Sequence, residues 1–185
     1  MNSELRTAGV EQAYRDHADD VYRVAYAILR YNDDAVDATQ ETFARAFERW
    51  HQYDPGRPMR AWLHGIVTHE ALDRLRRRQV QRRALPTVTR LAVGRRVEHD
   101  SPDRIVARRQ LVDEALSSLQ PAARAALVLR HCYGYSYAEI ATQLNTSPGN
   151  VGSVLTRACA TLRADFASAE APEATSRNRP TRAAR

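Results

Sequence analysis

The chain has 185 residues, 43% of them hydrophobic and 27% charged, with seven glycines and a formal net charge of +6. That is enough apolar material for one compact core or two small ones, and scarce glycine beside abundant alanine, leucine and arginine favours helices. No apolar run is long enough to cross a bilayer, and Met1 to Val10 lacks the layout of a secretory signal, so membrane insertion is not expected and the cytoplasm is the default location.

The positive charge is mostly arginine in clusters, which points to a polyanion, nucleic acid before membrane. Cys132 and Cys159 fit a reducing compartment and make no close metal-ligand pair; both read as small core residues. No metal or cofactor is expected.

In chain order, Asn2 to Gly9 reads as a short mobile lead. From Val10 the series Val10, Tyr14, His17, Val21, Val24 and Ile28 marks one face of a helix, with His17 a structural residue beside it. Tyr31 to Asp34 breaks the rhythm, and Asn32 or Asp33 can cap a helix from Ala35. Ala35, Ala38, Thr42, Phe43, Ala46 and Trp50 form its inward side, while Asp37, Gln40, Glu41, Arg45 and Glu48 make a polar outer one. Asp37 and Glu41 lie one turn apart, yet no nucleophile or apolar pocket signal accompanies them, so a docking surface is a better reading than acid-base chemistry.

Asp54-Pro55-Gly56 is a turn, and Pro58 stands at a helix start. Met59, Trp62, Leu63, Ile66, Val67, Leu72 and Leu75 supply the apolar face of a third helix, which ends in the run Arg74, Arg76, Arg77, Arg78, Arg82 and Arg83. Such a run is either a solvated face or a phosphate-binding one, and long arginine stems can serve both.

Leu85 to Asp100, with Pro86 and Gly94, reads as a linker. A second helical set follows, first through Ile105, Val112, Ala115, Leu116 and Leu119, then from Pro121 through Ala125, Leu127, Val128, Leu129 and Cys132. Between Tyr133 and Phe166 two apolar stripes flank a polar turn. Ile140, Ala141 and Leu144 form one; Val151, Leu155, Ala158, Leu162 and Phe166 form the other; Asn145, Thr146, Ser147 and Pro148 provide cap and turn chemistry between them. The pattern reads as a helix-turn-helix and would expose Asn150, Ser153 and Arg157, although a plain packed helical hairpin has the same periodicity. The remainder is an alanine-, proline- and arginine-rich tail.

The chain is thus expected to be all-α. Residues 1–84 and 101–167 form two small helical domains, a flexible linker over 85–100 joins them, the second carries the helix-turn-helix, and 168–185 are a flexible basic tail.

Two separated blocks make the reading specific. The first runs from Asn32-Asp33-Asp34-Ala35-Val36-Asp37-Ala38-Thr39-Gln40-Glu41-Thr42-Phe43 through Arg60-Ala61-Trp62-Leu63-His64-Gly65-Ile66 to Asp73-Arg74-Leu75-Arg76-Arg77. The second runs from Gly134-Tyr135-Ser136-Tyr137-Ala138-Glu139-Ile140-Ala141 to Ser147-Pro148-Gly149-Asn150-Val151-Gly152-Ser153-Val154-Leu155-Thr156-Arg157-Ala158. Together they resemble regions 2 and 4 of an extracytoplasmic-function sigma factor of the sigma-70 family.

The resemblance implies a non-enzymatic initiation factor that directs bacterial core RNA polymerase to promoter DNA and helps melt it, and it admits an anti-sigma factor as a further partner. It assigns Asp37, Gln40, Glu41 and Arg45 to polymerase docking. Arg60, Trp62, His69, Arg74, Arg76, Arg77 and Arg78 would face the upstream melting element, and Arg130, His131, Ser147, Asn150, Ser153 and Arg157 the minus-thirty-five element. The chain departs from the family at Thr68-His69, where arginine-asparagine is common. It departs again at Asn150, Gly152 and Val154, where threonine, lysine and arginine are common; fewer basic residues there imply weak DNA binding by the isolated domain. Two other functions fit the same residues: a stand-alone helix-turn-helix regulator, and an inhibitory polymerase- or protein-binding module without productive promoter recognition.

Overall fold

The computed structural model describes residues 3–84 and 114–170, all of whose regular elements are helices. In chain order they are α1 (Ser3–Leu29), α2 (Asn32–Glu48), a single 3-10 turn (Trp50–Gln52), α3 (Met59–Ala84), a helical stretch over 114–117, α4 (Pro121–His131), α5 (Tyr137–Leu144) and α6 (Pro148–Glu170). The linker over 85–100, the apolar positions Ile105 and Val112 and the tail from 171 onward lie outside the described residues, as do the side chains of Arg82 and Arg83.

Helices α1, α2 and α3 bury a common core. Val21, Val24, Ile28, Leu63 and Val67 are fully inside it, with Ala35 and Ala38 letting α2 approach closely. Thr42 is also fully buried, and its hydroxyl returns to the Ala38 carbonyl at 2.7 Å, so a polar group on the inward stripe is satisfied within the helix.

Three local expectations need correction. The chain is helical from Ser3, not from Val10: Arg6 sits 4.1 Å from the Phe47 ring centroid, and Gly9 leaves space that the Trp50 ring fills, so the lead is packed. Helix α2 begins at Asn32 without a side-chain cap, because Asn32 instead accepts from the Tyr22 hydroxyl at 2.6 Å. At the other end, α6 runs to Glu170, beyond the expected start of the tail at 168.

The second core gathers Leu127, Leu129, Ile140, Val151, Leu155 and Ala158 from α4, α5 and α6. Cys159 packs at its edge, whereas Cys132, the C-terminal cap of α4, is exposed and not a core residue.

The two halves are packed on one another. Ala125 of α4 is buried in the first core, and Arg124 beside it is only 7% exposed. Arg124 donates to the Ile28 carbonyl at 2.6 Å and to the Leu119 carbonyl at 3.0 Å. A cation is thereby placed at the C-terminus of α1, where unpaired carbonyls give the helix its negative end. Burial and the nearby Arg30 charge both work against that cation and lower its pKa.

A second contact lies between α4 and α5. Gly134 has φ of 72°, a left-handed conformation that suits glycine, and this kink sends the flanking tyrosines into the seam between the halves. The Tyr133 hydroxyl donates to the Asp20 carbonyl at 3.3 Å, and the Tyr135 hydroxyl lies 3.1 Å from Nδ1 of the fully buried His64.

Candidate nucleic-acid interface

Helix α5 begins with a capping box. The Ser136 hydroxyl accepts from the Glu139 backbone at 3.2 Å while the Glu139 carboxylate accepts from the Ser136 backbone at 2.7 Å. The hydrogen bonds from Ser136 hold the Glu139 pKa below its ordinary value.

Asn145 ends the helix in the left-handed region, at φ 50°, which its short polar side chain tolerates. Ser147 then caps α6 by accepting from the Asn150 backbone at 3.2 Å, with Pro148 in the first helical position. The helix-turn-helix therefore has the boundaries its turn residues imply.

This geometry leaves Ser147, Asn150, Ser153 and Arg157 exposed along the first turns of α6. Their donors are partly engaged: Asn150 Nδ2 donates to Thr146 Oγ1 at 2.9 Å, Ser153 Oγ to the Gly149 carbonyl at 3.1 Å, and Arg157 Nε to the Ser153 carbonyl at 3.3 Å. The internal bonds restrain the side chains, while the Asn150 side-chain amide oxygen keeps its acceptor capacity and Arg157 keeps further N–H donors.

Val154 is half-buried against the second core. A Cβ on Gly152 would lie 3.4 Å from the Tyr137 ring, so that ring covers the helix surface at this point.

Arg130 stands with Tyr137 rather than apart from it. Its guanidinium is 5.3 Å from the Tyr137 ring centroid and donates to the Tyr135 carbonyl at 2.8 Å, while His131 next to it is exposed. Tyr137, itself 43% exposed, is a surface residue beyond the candidate contacts that the sequence pattern singles out. An aromatic residue directly after a capping serine, four residues before the core position Ala141, is the signal that was available.

The first half presents two helices as a pair. Asp37 and Gln40 are exposed on α2, and Glu41 and Arg45 are half-buried. Across from them, α3 offers Glu70, Arg74 and Arg78 at four-residue steps, and the two rows form a ladder. Arg45 joins Glu41 at 3.0 Å and the buried Glu70 at 2.7 Å; Arg74 joins Asp37 at 3.2 Å; Arg78 grips both oxygens of Asp34. The Arg45 pKa rises although burial opposes its charge, because Glu41 and Glu70 more than offset that effect. The Arg78 pKa is raised first by its bonds to Asp34.

The described arginines of the run therefore divide in two. Arg74 and Arg78 turn toward α2, while Arg76 and Arg77 are exposed on the outer face with His69. Arg76 also contacts Asp73 on its own helix at 2.8 Å. His69 Nδ1 lies 2.7 Å from the Gly65 carbonyl, which can only accept, so Nδ1 carries the proton and Nε2 faces outward.

Trp62 is half-buried among Trp50 and Tyr53, with ring centroids 6.1 and 5.1 Å away. Arg60 is exposed and lies 5.7 Å from the Tyr133 ring centroid, at the seam between the halves. Among the described residues no cluster of histidine, cysteine, aspartate or glutamate could hold a metal ion, and no helix is long and apolar enough to cross a membrane.

The comparisons with known proteins match the two halves separately. A model for sigma-70 region 2 covers residues 13–81, and one for sigma-70 region 4 covers residues 109–162. The chain is 39% identical over 157 residues to the ECF RNA polymerase sigma factor SigE of Mycolicibacterium smegmatis; that match covers 83% of this chain and 60% of the relative. It is 32% identical over 168 residues to SigM of Mycobacterium tuberculosis, covering 87% of this chain and 82% of the relative.

Among solved structures, CnrH in complex with the cytosolic domain of CnrY aligns over 91% of this chain and 96% of its own at 26% identity, with a TM-score of 0.61. The sigma factor RpoE bound to the anti-sigma factor NepR, from Bartonella quintana, shares the fold at a TM-score of 0.66 and 23% identity, over 85% of this chain and 96% of its own. With both region models matched in order and SigM aligned over most of its length, this chain belongs to the extracytoplasmic-function sigma factors of the sigma-70 family.

Proposed function

We propose that the chain directs a bacterial core RNA polymerase to a class of promoters and helps open the DNA there, acting in the cytoplasm and without catalysis of its own. The observation that carries this reading is one chain holding both a region 2 helix pair and a region 4 helix-turn-helix. Asp37, Gln40, Glu41 and Arg45 form the polymerase-docking surface, with the ladder to α3 holding it rigid so that its polar groups set register.

On α3, His69, Arg76 and Arg77 meet the melting element, with Arg60 at the near end of the same helix. The arginines hold phosphates while the exposed strand lies across the helix, where stabilised unstacked bases offset lost stacking. Trp62, inside its aromatic cluster, keeps that helix in place, and Arg78 does the same through Asp34.

On α6, Asn150 and Ser153 read base edges in the major groove, near the N-terminal end of the helix as helix-turn-helix docking requires. Ser147, Arg157, Arg130 and His131 bind the flanking backbone. An anti-sigma protein that covers either surface would switch the factor off.

The test is purified chain with core polymerase on a set of promoter templates. Core association and template-selective transcripts are expected; no association and no transcript, where a control sigma factor works, would overturn the reading. Core binding without selective transcription would instead identify an inhibitory module.

A further inference from the structure

Arg74 and Asp37 belong to two different surfaces and are bonded to each other. Asp37 stands in the proposed docking row on α2, and Arg74 in the arginine run of α3; their side chains meet at 3.2 Å. The acids of the neighbouring rungs differ from this one in exposure. The side chain of Asp34 is 13% exposed and held by Arg78 in two bonds, and Arg45 reaches a Glu70 side chain that is 11% exposed. The Asp37 side chain is 61% exposed.

Arg74 itself is 29% exposed, so it is the acid that sets this rung apart. A single-bond pair whose carboxylate side is open to water contributes little stability, on the order of 0–1 kcal/mol, and exchanges that partner at small cost, whereas a two-bond pair on a less exposed acid resists exchange. Arg74 has Asp34 as its other nearby acid, 3.9 Å away, but that carboxylate is already engaged by Arg78.

We propose that Asp37 and Arg74 are an exchangeable pair that couples docking to DNA engagement. This rests on the proposed reading of the α2 and α3 surfaces. In the free chain Asp37 neutralises Arg74. When Asp37 turns to a hydrogen-bond donor on the polymerase, Arg74 is released and binds a DNA phosphate. The outer rungs, Asp34 with Arg78 and Arg45 with Glu70, keep the two helices in register during the exchange. The free chain thus withholds one phosphate contact that the assembled complex gains, and its DNA affinity depends on whether it is docked.

A double-mutant cycle tests the pair. Wild type, D37N, R74Q and D37N/R74Q are compared for binding of one labelled DNA duplex across a salt series, as free chain and with core polymerase, after thermal melts confirm that each variant folds. In the free chain, R74Q is expected to change affinity less than about twofold, while D37N tightens it about three- to tenfold and steepens the log-log salt slope by about 0.9, the value of one phosphate contact. The gain disappears in D37N/R74Q. With core bound, R74Q weakens DNA binding about tenfold, and D37N weakens core association.

Three results would overturn the proposal: equal loss from R74Q in free and docked chain, a D37N gain that survives in the double variant, or unchanged core association of D37N. R76Q/R77Q separates this failure from that of the underlying reading, because that variant loses DNA affinity whenever α3 faces DNA, whatever Asp37 and Arg74 do.

Discussion

The two helices offered to nucleic acid, α3 and α6, solve the same electrostatic problem in opposite ways. Helix α3 is dense in arginine, yet Arg74 and Arg78 are turned toward the acids of α2. Helix α6 carries few charges, Arg157 and Arg163 among them, and both are exposed. In the first case a strong positive field is tempered by a neighbouring helix, which also fixes its shape. In the second, a weak field leaves recognition to a few short polar side chains and to assistance from the rest of the assembly. The difference teaches that counting arginines misjudges both surfaces: the pairing of each guanidinium matters more than its presence.

The largest expected effect comes from the seam that holds the two surfaces together. Arg124→Ala removes the donors to the Ile28 and Leu119 carbonyls and leaves these buried acceptors without that partner. Denaturant unfolding should show a loss of about 2–4 kcal/mol, with the expectation failing if the variant is as stable as wild type.

His64 lies in the same seam, and its pKa is pushed down to about 4, first by burial against the pull of Asp20, with Arg60 and His17 adding to the fall. Nε2 has no hydrogen-bond partner among the described residues, so a second ring proton there would have no acceptor. The unfolded imidazole takes up its proton near its ordinary value of about 6.5, while the folded one resists until about 4. Stability is therefore full above the upper value and falls as pH drops through that window, by up to about 3 kcal/mol at its foot. His64→Gln should flatten this part of the stability profile; a wild-type profile that does not change between these values would contradict it.

The smaller effects sharpen the contrast at α6. Arg157→Gln should reduce the salt slope of DNA binding by about 0.9 if that guanidinium meets one phosphate, with similar losses on all sequences, and an unchanged slope would remove it from the backbone contacts. Gly152→Ala should stabilise the helix by about 0.5–1 kcal/mol, since the added Cβ meets the Tyr137 ring at an ordinary contact distance of 3.4 Å. A lower melting temperature would show that the ring cannot accommodate it.

What the sequence makes legible follows range. The helix-turn-helix is read almost whole because its cap, turn and apolar stripes are local: Ser136 meets Glu139 and Ser147 meets the Asn150 backbone within three residues. The ladder is invisible at that scale, since Arg74 meets Asp37 from 37 positions away and Arg78 meets Asp34 from 44.

The seam is harder still. Its bonds span 71 residues for His64 with Tyr135 and 96 for Arg124 with Ile28, and nothing in local periodicity distinguishes a buried arginine from a solvated one. Trp62 illustrates the same limit in reverse. The resemblance assigns it to the melting element, but Trp50 and Tyr53 partly enclose it.

The central claim, that this chain aims polymerase at promoters and adds little DNA selectivity alone, is tested most directly by selecting randomised duplex DNA twice. One selection uses the full chain by itself, the other the full chain with core polymerase. The account predicts a shared sequence motif enriched only when core is present. Equal enrichment of one motif by the chain alone would contradict it and identify a stand-alone regulator.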